Sequence, residues 1–364
     1  MDRRGFLKIG AALSTTALMP SVGFAQARDY APRAAEAWRV FEITTEIRLP
    51  DAAGGARAWV PLPSVEESWQ QVLGNVWTGN AAKTAVRTDG VYGARMLYAE
   101  FKPGTRNAVL TVTSRVATRD RAVDLGARRE VPPLPAGDRA FYTQPTELIP
   151  TDGIVRETAL EITRGTRTDL ERARAIYDWV VVNTFRDPKV RGCGIGDIKG
   201  MLESGNLGGK CADLNALYVG LARAVGLPAR DVYGIRVAKS QFGYRSLGAG
   251  TSDITKAQHC RAEVWLDGYG WVPVDPADVR KVALEEESGP IPLDHPLVQA
   301  VRPKLFGAWE MNWIAYNCAH DVVLPDSNGA PIPFLMYPQA ETAEGRLDSL
   351  DPSFYRITAR ELSA

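Results

Sequence analysis

The chain has 364 residues, with 43 basic and 43 acidic side chains, 45% hydrophobic residues and four cysteines. That balance argues against a nucleic-acid binder, an anionic-membrane binder and a small disulfide framework. The length suits two or three domains.

Residues 1–27 read as an export leader. Arg3-Arg4-Gly5-Phe6-Leu7-Lys8 is a twin-arginine motif, Ile9–Met19 is a modestly apolar run, and Ala25-Gln26-Ala27 offers a small-x-small cleavage site. The apolar run is too short to span a bilayer, and no other stretch approaches that length. The leader holds three basic and one acidic residue, which leaves 40 and 42 in the mature chain and a formal charge of −2. The mature protein is expected without a membrane span, in the periplasm or outside the cell.

Trp38–Leu49, Arg57–Leu62, Ala82–Arg87, Arg95–Phe101 and Ala108–Ala117 are rich in β-branched and aromatic residues, with Gly, Pro, Asp and Asn between them. They predict a β-sandwich over residues 36–120. Residues 121–153, with five prolines between 132 and 150, read as a linker. Thr168-Asp169-Leu170-Glu171 is a capping box that opens a helix over Ala173–Val182. Phe185–Gly205 is a glycine-rich loop with room for a short helix near Ile198–Leu202.

Gly205–Pro228 (GNLGGKCADLNALYVGLARAVGLP) organises the rest. Leu214, Leu217, Tyr218, Leu221 and Val225 recur at three- and four-residue spacing, and Gly226 and Pro228 close the helix they predict. Cys211 then stands at the helix start. Free N–H groups and the positive end of the helix dipole meet its sulfur there, and both favour thiolate. A cysteine in this position is also a good small buried hydrophobe, so the position alone does not decide its role.

Further on, Gln258–Leu266 and Gly270–Val274 are strand-like runs around an Asp-Gly turn, which signals a hairpin. A two- or four-residue loop would send His259 and Asp275 to opposite faces. A three-residue loop, Asp267–Tyr269, makes Asp275 the diagonal neighbour of His259 on one face. Thiol, imidazole and carboxylate are the groups a cysteine acyl-transfer enzyme needs: Cys211 as nucleophile, His259 as its base, Asp275 to fix the imidazole tautomer. His295 and His320 are the rival bases, and neither has a paired hairpin partner.

GGKCADLNALYVGLARAVGLPARDVYGIRV and QHCRAEVWLDGYGWVPVDPAD, with the helix before them, resemble the transglutaminase-like superfamily, a rearranged relative of papain-like cysteine proteases. The resemblance covers about residues 155–280. It implies an α+β fold: an N-terminal β-sandwich, then a catalytic core over 154–290 with the nucleophile at a helix N-terminus and a hairpin carrying His and Asp. Residues 291–364 would be an extension packing on that core. It also implies a Cys211–His259–Asp275 triad acting through a thioester on a protein or peptide substrate, with no cofactor and no metal. Many relatives carry a polar aromatic residue where this chain has Phe185, so the oxyanion would lean on the Cys211 N–H and a second donor. Gln258 and Asn206 are the candidates. Hydrolysis is the favoured outcome, with glutamine cross-linking and a non-catalytic cell-envelope binder as the alternatives.

The other cysteines carry one more expectation. No C-x-x-C spacing suggests zinc. Cys260, next to His259 in a strand, should face away from Cys211. A Cys193–Cys260 disulfide would then tie the RGCGIG loop to the back of the hairpin, with Cys318 as the competing partner.

Overall fold

The computed structural model describes residues 28–34, 37–49 and 52–362, so the expected export leader lies outside the described residues. The first strands are β1 (Arg39–Leu49), β2 (Ala56–Pro61), β3 (Gln70–Gly79), β4 (Lys83–Thr88), β5 (Arg95–Phe101) and β6 (Ala108–Thr118). Short β7 (Arg121–Ala122) leads to helices α1 (Ala136–Phe141), α2 (Gly153–Ile162) and α3 (Asp169–Asn183). β8 (Phe185–Arg186), α4 (Ile198–Ser204) and β9 (Gly208–Gly209) run up to α5 (Cys211–Ala224). Then come β10 (Ala229–Arg236), β11 (Gln258–Leu266), β12 (Gly270–Val274), α6 (Pro276–Glu285) and α7 (Pro296–Val301). The chain ends in β13 (Ala308–Trp309), β14 (Trp313–Asn317), β15 (His320–Val322), β16 (Ile332–Phe334), β17 (Gln339–Thr342), β18 (Gly345–Arg346) and β19 (Tyr355–Leu362).

Period-two burial builds the N-terminal sheets. β1 buries Phe41, Ile43, Ile47 and Leu49, and β6 buries Ala108, Leu110, Val112 and Val116. One sheet runs β19-β1-β6-β3, the other β18-β17-β2-β5-β4. Their apolar faces meet in one cluster that holds Phe41, Ile43, Val60, Leu97 and Leu110. Edge strand β4 is largely exposed and carries Lys83 and Arg87, which blunts pairing with another chain.

The C-terminal segment corrects an expectation. It does more than cover the core: β19 pairs along β1 from Val40–Leu362 to Ile47–Tyr355, and β17 pairs with β2. Both N-terminal sheets are therefore completed by the last residues of the chain. The linker is also more structured than its prolines suggested, with α1 inside it.

A third sheet, β12-β11-β10-β14, is the frame of the helical half. Every residue of α5 is buried. The helix shares one apolar cluster with α3 and with Ala262, Val264, Leu266, Val272 and Val274 of the hairpin. The capping box forms: Thr168 accepts the Glu171 N–H at 3.2 Å, and Glu171 accepts the Thr168 N–H at 3.1 Å. The cluster of the N-terminal sheets continues into Cys193, Cys211, Leu214 and Cys260. The start of α5 thus lies at the seam between the two halves.

Candidate active site

Lys210 is the N-cap of α5 and Cys211 its first helical residue. Asp213, on the first turn, accepts the Lys210 N–H at 2.9 Å and the Ile195 and Gly196 N–H groups, each at 3.0 Å. This carboxylate clamps the 191–197 loop onto the helix start, and the Ala212 N–H donates to the Cys193 carbonyl at 2.9 Å. Gly194 has φ +88°, and a Cβ there would lie 1.8 Å from the Asp213 carboxylate, so only glycine fits. The Cys211 N–H, at the first helical position, has no acceptor within its own helix.

Leu266 pairs with Gly270 in the hairpin, leaving the three-residue loop Asp267–Tyr269, and Val274 pairs with Ala262. Asp275 follows as the N-cap of α6, with Pro276 behind it. One of its oxygens accepts the Asp278 N–H at 3.0 Å; the other lies 2.8 Å from His259 Nε2. That pairing leaves Nδ1 as the ring nitrogen free to meet a thiol. The backbone of His259 is fixed as well. Its carbonyl accepts the Trp313 indole N–H at 2.9 Å.

Three further charges surround the imidazole, and none was singled out in the sequence. Asp278 lies 3.4 Å from His259 Nε2 and pairs with Arg236 at 2.5 Å. Arg261 Nε stands 3.5 Å from Asp275 and its guanidinium stacks over Trp313. All of these side chains are buried. Burial and Arg236 act to lower the His259 imidazole, but Asp278 and Asp275 outweigh them and raise it to about 9. Burial raises the Asp275 carboxyl, with the Asp278 charge adding to it. Asp278 is held well below its ordinary value because Arg236 and His259 overcome its burial. The one available signal for these residues was Asp275-Pro276 followed by Asp278, which is a helix start as well as a turn.

Cys211 and His259 open on one cavity of about 560 Å³. Contacts from the Cys193 and Cys260 thiols hold the Cys211 thiol well below its ordinary value; burial opposes them and His259 adds to the lowering. Tyr337 and Tyr355 of the C-terminal segment wall the cavity. Its charged lining holds Arg186, Arg191, Lys210, Arg236, Lys256 and Lys281 with Asp253; of the cations, Arg186 and Lys281 pair with Glu285, Arg191 with Asp348 and Arg236 with Asp278. Burial, with Arg236 beside it, pushes the Lys281 ammonium down to about 8.

The two oxyanion candidates separate. Gln258 lines the cavity, its amide donating to the Thr255 carbonyl at 3.1 Å. Asn206 does not line it. Its side chain accepts the Gly208 N–H at 3.2 Å within its own exposed turn, because a loop asparagine finds a backbone donor two residues on. Phe185 lies over Gly208, where a Cβ would meet the ring at 2.3 Å. His295 caps α7 by accepting the Leu297 N–H.

The disulfide is absent: all four cysteines are free. Cys193 donates to the Gln258 carbonyl at 3.3 Å, and Cys260 points at Met336 Sδ, 3.9 Å away. The orientation of Cys260 is corrected too. Strand alternation does put Cys260, Ala262 and Val264 on one face, but that is the face α5 covers. His259, at the mouth of the strand, reaches the same cavity from the other side. The sulfurs of Cys193, Cys211 and Cys260 therefore lie within 4.8 Å of one another.

Residues 156–276, from α2 through the hairpin to the start of α6, match the family model of the transglutaminase-like superfamily. The chain belongs to that superfamily. An uncharacterized protein of Haemophilus influenzae is 38% identical over 331 residues, which is 87% of this chain and 89% of the relative. Among solved structures, a provisionally assigned cysteine protease of Cytophaga hutchinsonii is 15% identical at a TM-score of 0.49, covering 89% of this chain and 98% of its own. The periplasmic domain of TgpA from Pseudomonas aeruginosa is 17% identical at a TM-score of 0.36, covering 67% and 88%. The transglutaminase-like region of this chain thus contains Cys211, His259 and Asp275 together. Among the described residues no helix is long and apolar enough to cross a membrane.

Proposed function

We propose that the protein is a cysteine hydrolase that cleaves peptide or carboxamide bonds through a thioester, and that it works after export on the twin-arginine route. The observation that carries the reading is a helix-start thiol and a carboxylate-bound imidazole opening on one cavity. In the resting pair Cys211 is the thiolate and His259 the imidazolium. The thiolate attacks the carbonyl carbon, and the Cys211 N–H receives the developing oxyanion, with Gln258 as the nearby side-chain donor. As the C–N bond breaks, His259 passes its proton to the departing amine. The neutral imidazole then takes a proton from water as the water oxygen attacks the thioester carbon; the C–S bond breaks, and Cys211 leaves as thiolate beside the imidazolium, which restores the pair and frees the acid product.

Asp275 orients the ring and stabilises the imidazolium. Lys210 and Lys256 at the cavity favour an acyl donor with carboxylates near the scissile bond, so KM for acidic peptides should rise with ionic strength while kcat stays put.

Iodoacetamide at pH 7 tests the nucleophile. Cys211 should be alkylated selectively in the native protein, and Cys211→Ala should abolish turnover while melting within about 1–2 kcal/mol of wild type. Equal, slow labelling of all four thiols would sink the reading. Adding an amine to the assay separates the outcomes: free acid as the main product supports hydrolysis, and amide product in excess marks transfer.

A further inference from the structure

Three thiols in mutual reach are more than one nucleophile needs. The sulfurs of Cys193, Cys211 and Cys260 lie within 4.8 Å of one another, and Met336 adds a thioether 3.9 Å from Cys260. A metal–thiolate bond of about 2.3 Å places ligand sulfurs roughly 3.8 Å apart, so the three need move only a fraction of an ångström each to close on one ion. The surroundings choose the ion. The His259 imidazole reaches Cys211, but among the described residues no carboxylate or imidazole lies within 4.8 Å of all three sulfurs. A set made only of soft sulfur donors suits Cu(I), whereas Zn(II) prefers a fourth strong ligand that a thioether does not supply. Cys193 and Cys211 line the cavity, which gives the ion a way in.

We propose that Cys193, Cys211 and Cys260, backed by Met336, form a Cu(I) site. The ion enters as Cu⁺ and leaves as Cu⁺, with no electron transferred. Cys211 contributes its thiolate lone pair directly. Cys193, raised by its contact with Cys211 and by burial, and Cys260, raised by burial and by its contacts with Cys193 and Cys211, each release a proton to solvent on binding. Occupancy removes the sulfur lone pair that would attack substrate, so the ion is an inhibitor. Binding rests on the thiols alone; inhibition rests also on the proposed nucleophile.

The test is a competition under anaerobic conditions, with Cu(I) held by ascorbate and presented as its bathocuproine disulfonate complex. Wild-type protein should withdraw one Cu(I) per chain. Cys193→Ala and Cys260→Ala, with unchanged circular dichroism, should each weaken retention by at least about tenfold. Cys260→Val fills a similar volume and serves if the alanine variant does not fold. Copper left with the chelator by wild type would overturn the proposal. So would undiminished retention by the Cys193 and Cys260 variants, which would mean Cys211 binds alone, or equally tight retention of Zn(II). Uptake without loss of turnover would uphold the site and count against Cys211 as nucleophile.

Discussion

Two histidine–aspartate pairs are buried at the same four-stranded sheet, and burial alone does not tell them apart. His259 lies 2.8 Å from Asp275, and His320 Nε2 lies 3.5 Å from Asp231 Oδ2 without a hydrogen bond. The difference is in the cations. Arg236 and Arg261 answer the carboxylates around His259. At the second pair the nearby cation is Arg223, and its N–H groups go to the Ala229 and Gln144 carbonyls. Burial therefore raises Asp231 to about 7, only partly offset by Arg223. Burial and Arg223 together hold His320 well below its ordinary value. A protonated aspartate cannot support an imidazolium. His320 stays neutral, packed between Tyr92 and Tyr233, whose hydroxyl is 3.3 Å from Nδ1. Arginine-backed carboxylates and an open cavity, rather than a nearby aspartate, single out His259 as the candidate base.

The largest expected effect breaks this comparison most directly. His259→Ala should lower kcat/KM by about 10³-fold and remove the selective alkylation of Cys211 at pH 7. His320→Gln should change kcat/KM by less than about threefold, since its side chain touches no reacting group. Comparable losses in both variants, measured on folded protein, would erase the distinction.

Asp275→Asn is the next test. Asparagine caps helices as well as aspartate, so α6 should keep its start. The loss should be roughly 10²-fold, smaller than for a triad with one carboxylate, because Asp278 stays 3.4 Å from the ring. Wild-type activity should fall as pH rises through about 9, where the imidazolium is lost. Removing a negative neighbour disfavours the imidazolium, so this alkaline limb must move to lower pH. The same raised value makes a stability statement. His259 contributes stability that is fully present below about 6.5 and lost as pH rises through about 9. An unmoved limb in Asp275→Asn would assign it to another group.

Local signals in the sequence reached some of this and not the rest. The 3.6-residue period with a closing Gly226 marks α5, and the Asp-Gly turn with odd loop parity sets His259 and Asp275 on one face. Strand β3 escaped because it is an edge strand, largely exposed and bulged between Val72 and Gly74, so no burial period shows. The pairing of β1 with β19 joins residues more than 300 apart, and no local pattern encodes it. The thiol cluster failed for a related reason. Its members come from a loop, a helix start and a strand, and only the clamp at Asp213 and the packing of α5 on β11 bring them together. Asp278 and Arg236 look like ordinary surface charges in sequence and become neighbours of the candidate pair only because both are buried.

The smallest effect is on stability and belongs to the second pair. Asp231 has a folded value of about 7 against an ordinary 3.8, so the native state holds its proton more tightly than the unfolded chain. For a carboxyl raised in this way, stability falls as pH rises from about 4 to 7 and stays reduced above that window. Asp231→Asn keeps the shape and cannot ionise. It should be more stable than wild type at pH 8, by roughly 1–2 kcal/mol after relaxation, and about equal to it near pH 4. His320 gives wild type an opposite slope, because its lowered value means stability present above about 6.5 and lost as pH falls; that slope is common to both proteins and cancels in the difference. Thermal melts of the pair at pH 4 and pH 8 read the prediction. A gain of the same size at both pH values would point to repacking instead of ionisation. A loss at pH 8 would mean that Asp231 is a working partner of Arg223 or His320, and the contrast between the two histidines would fail at its second member.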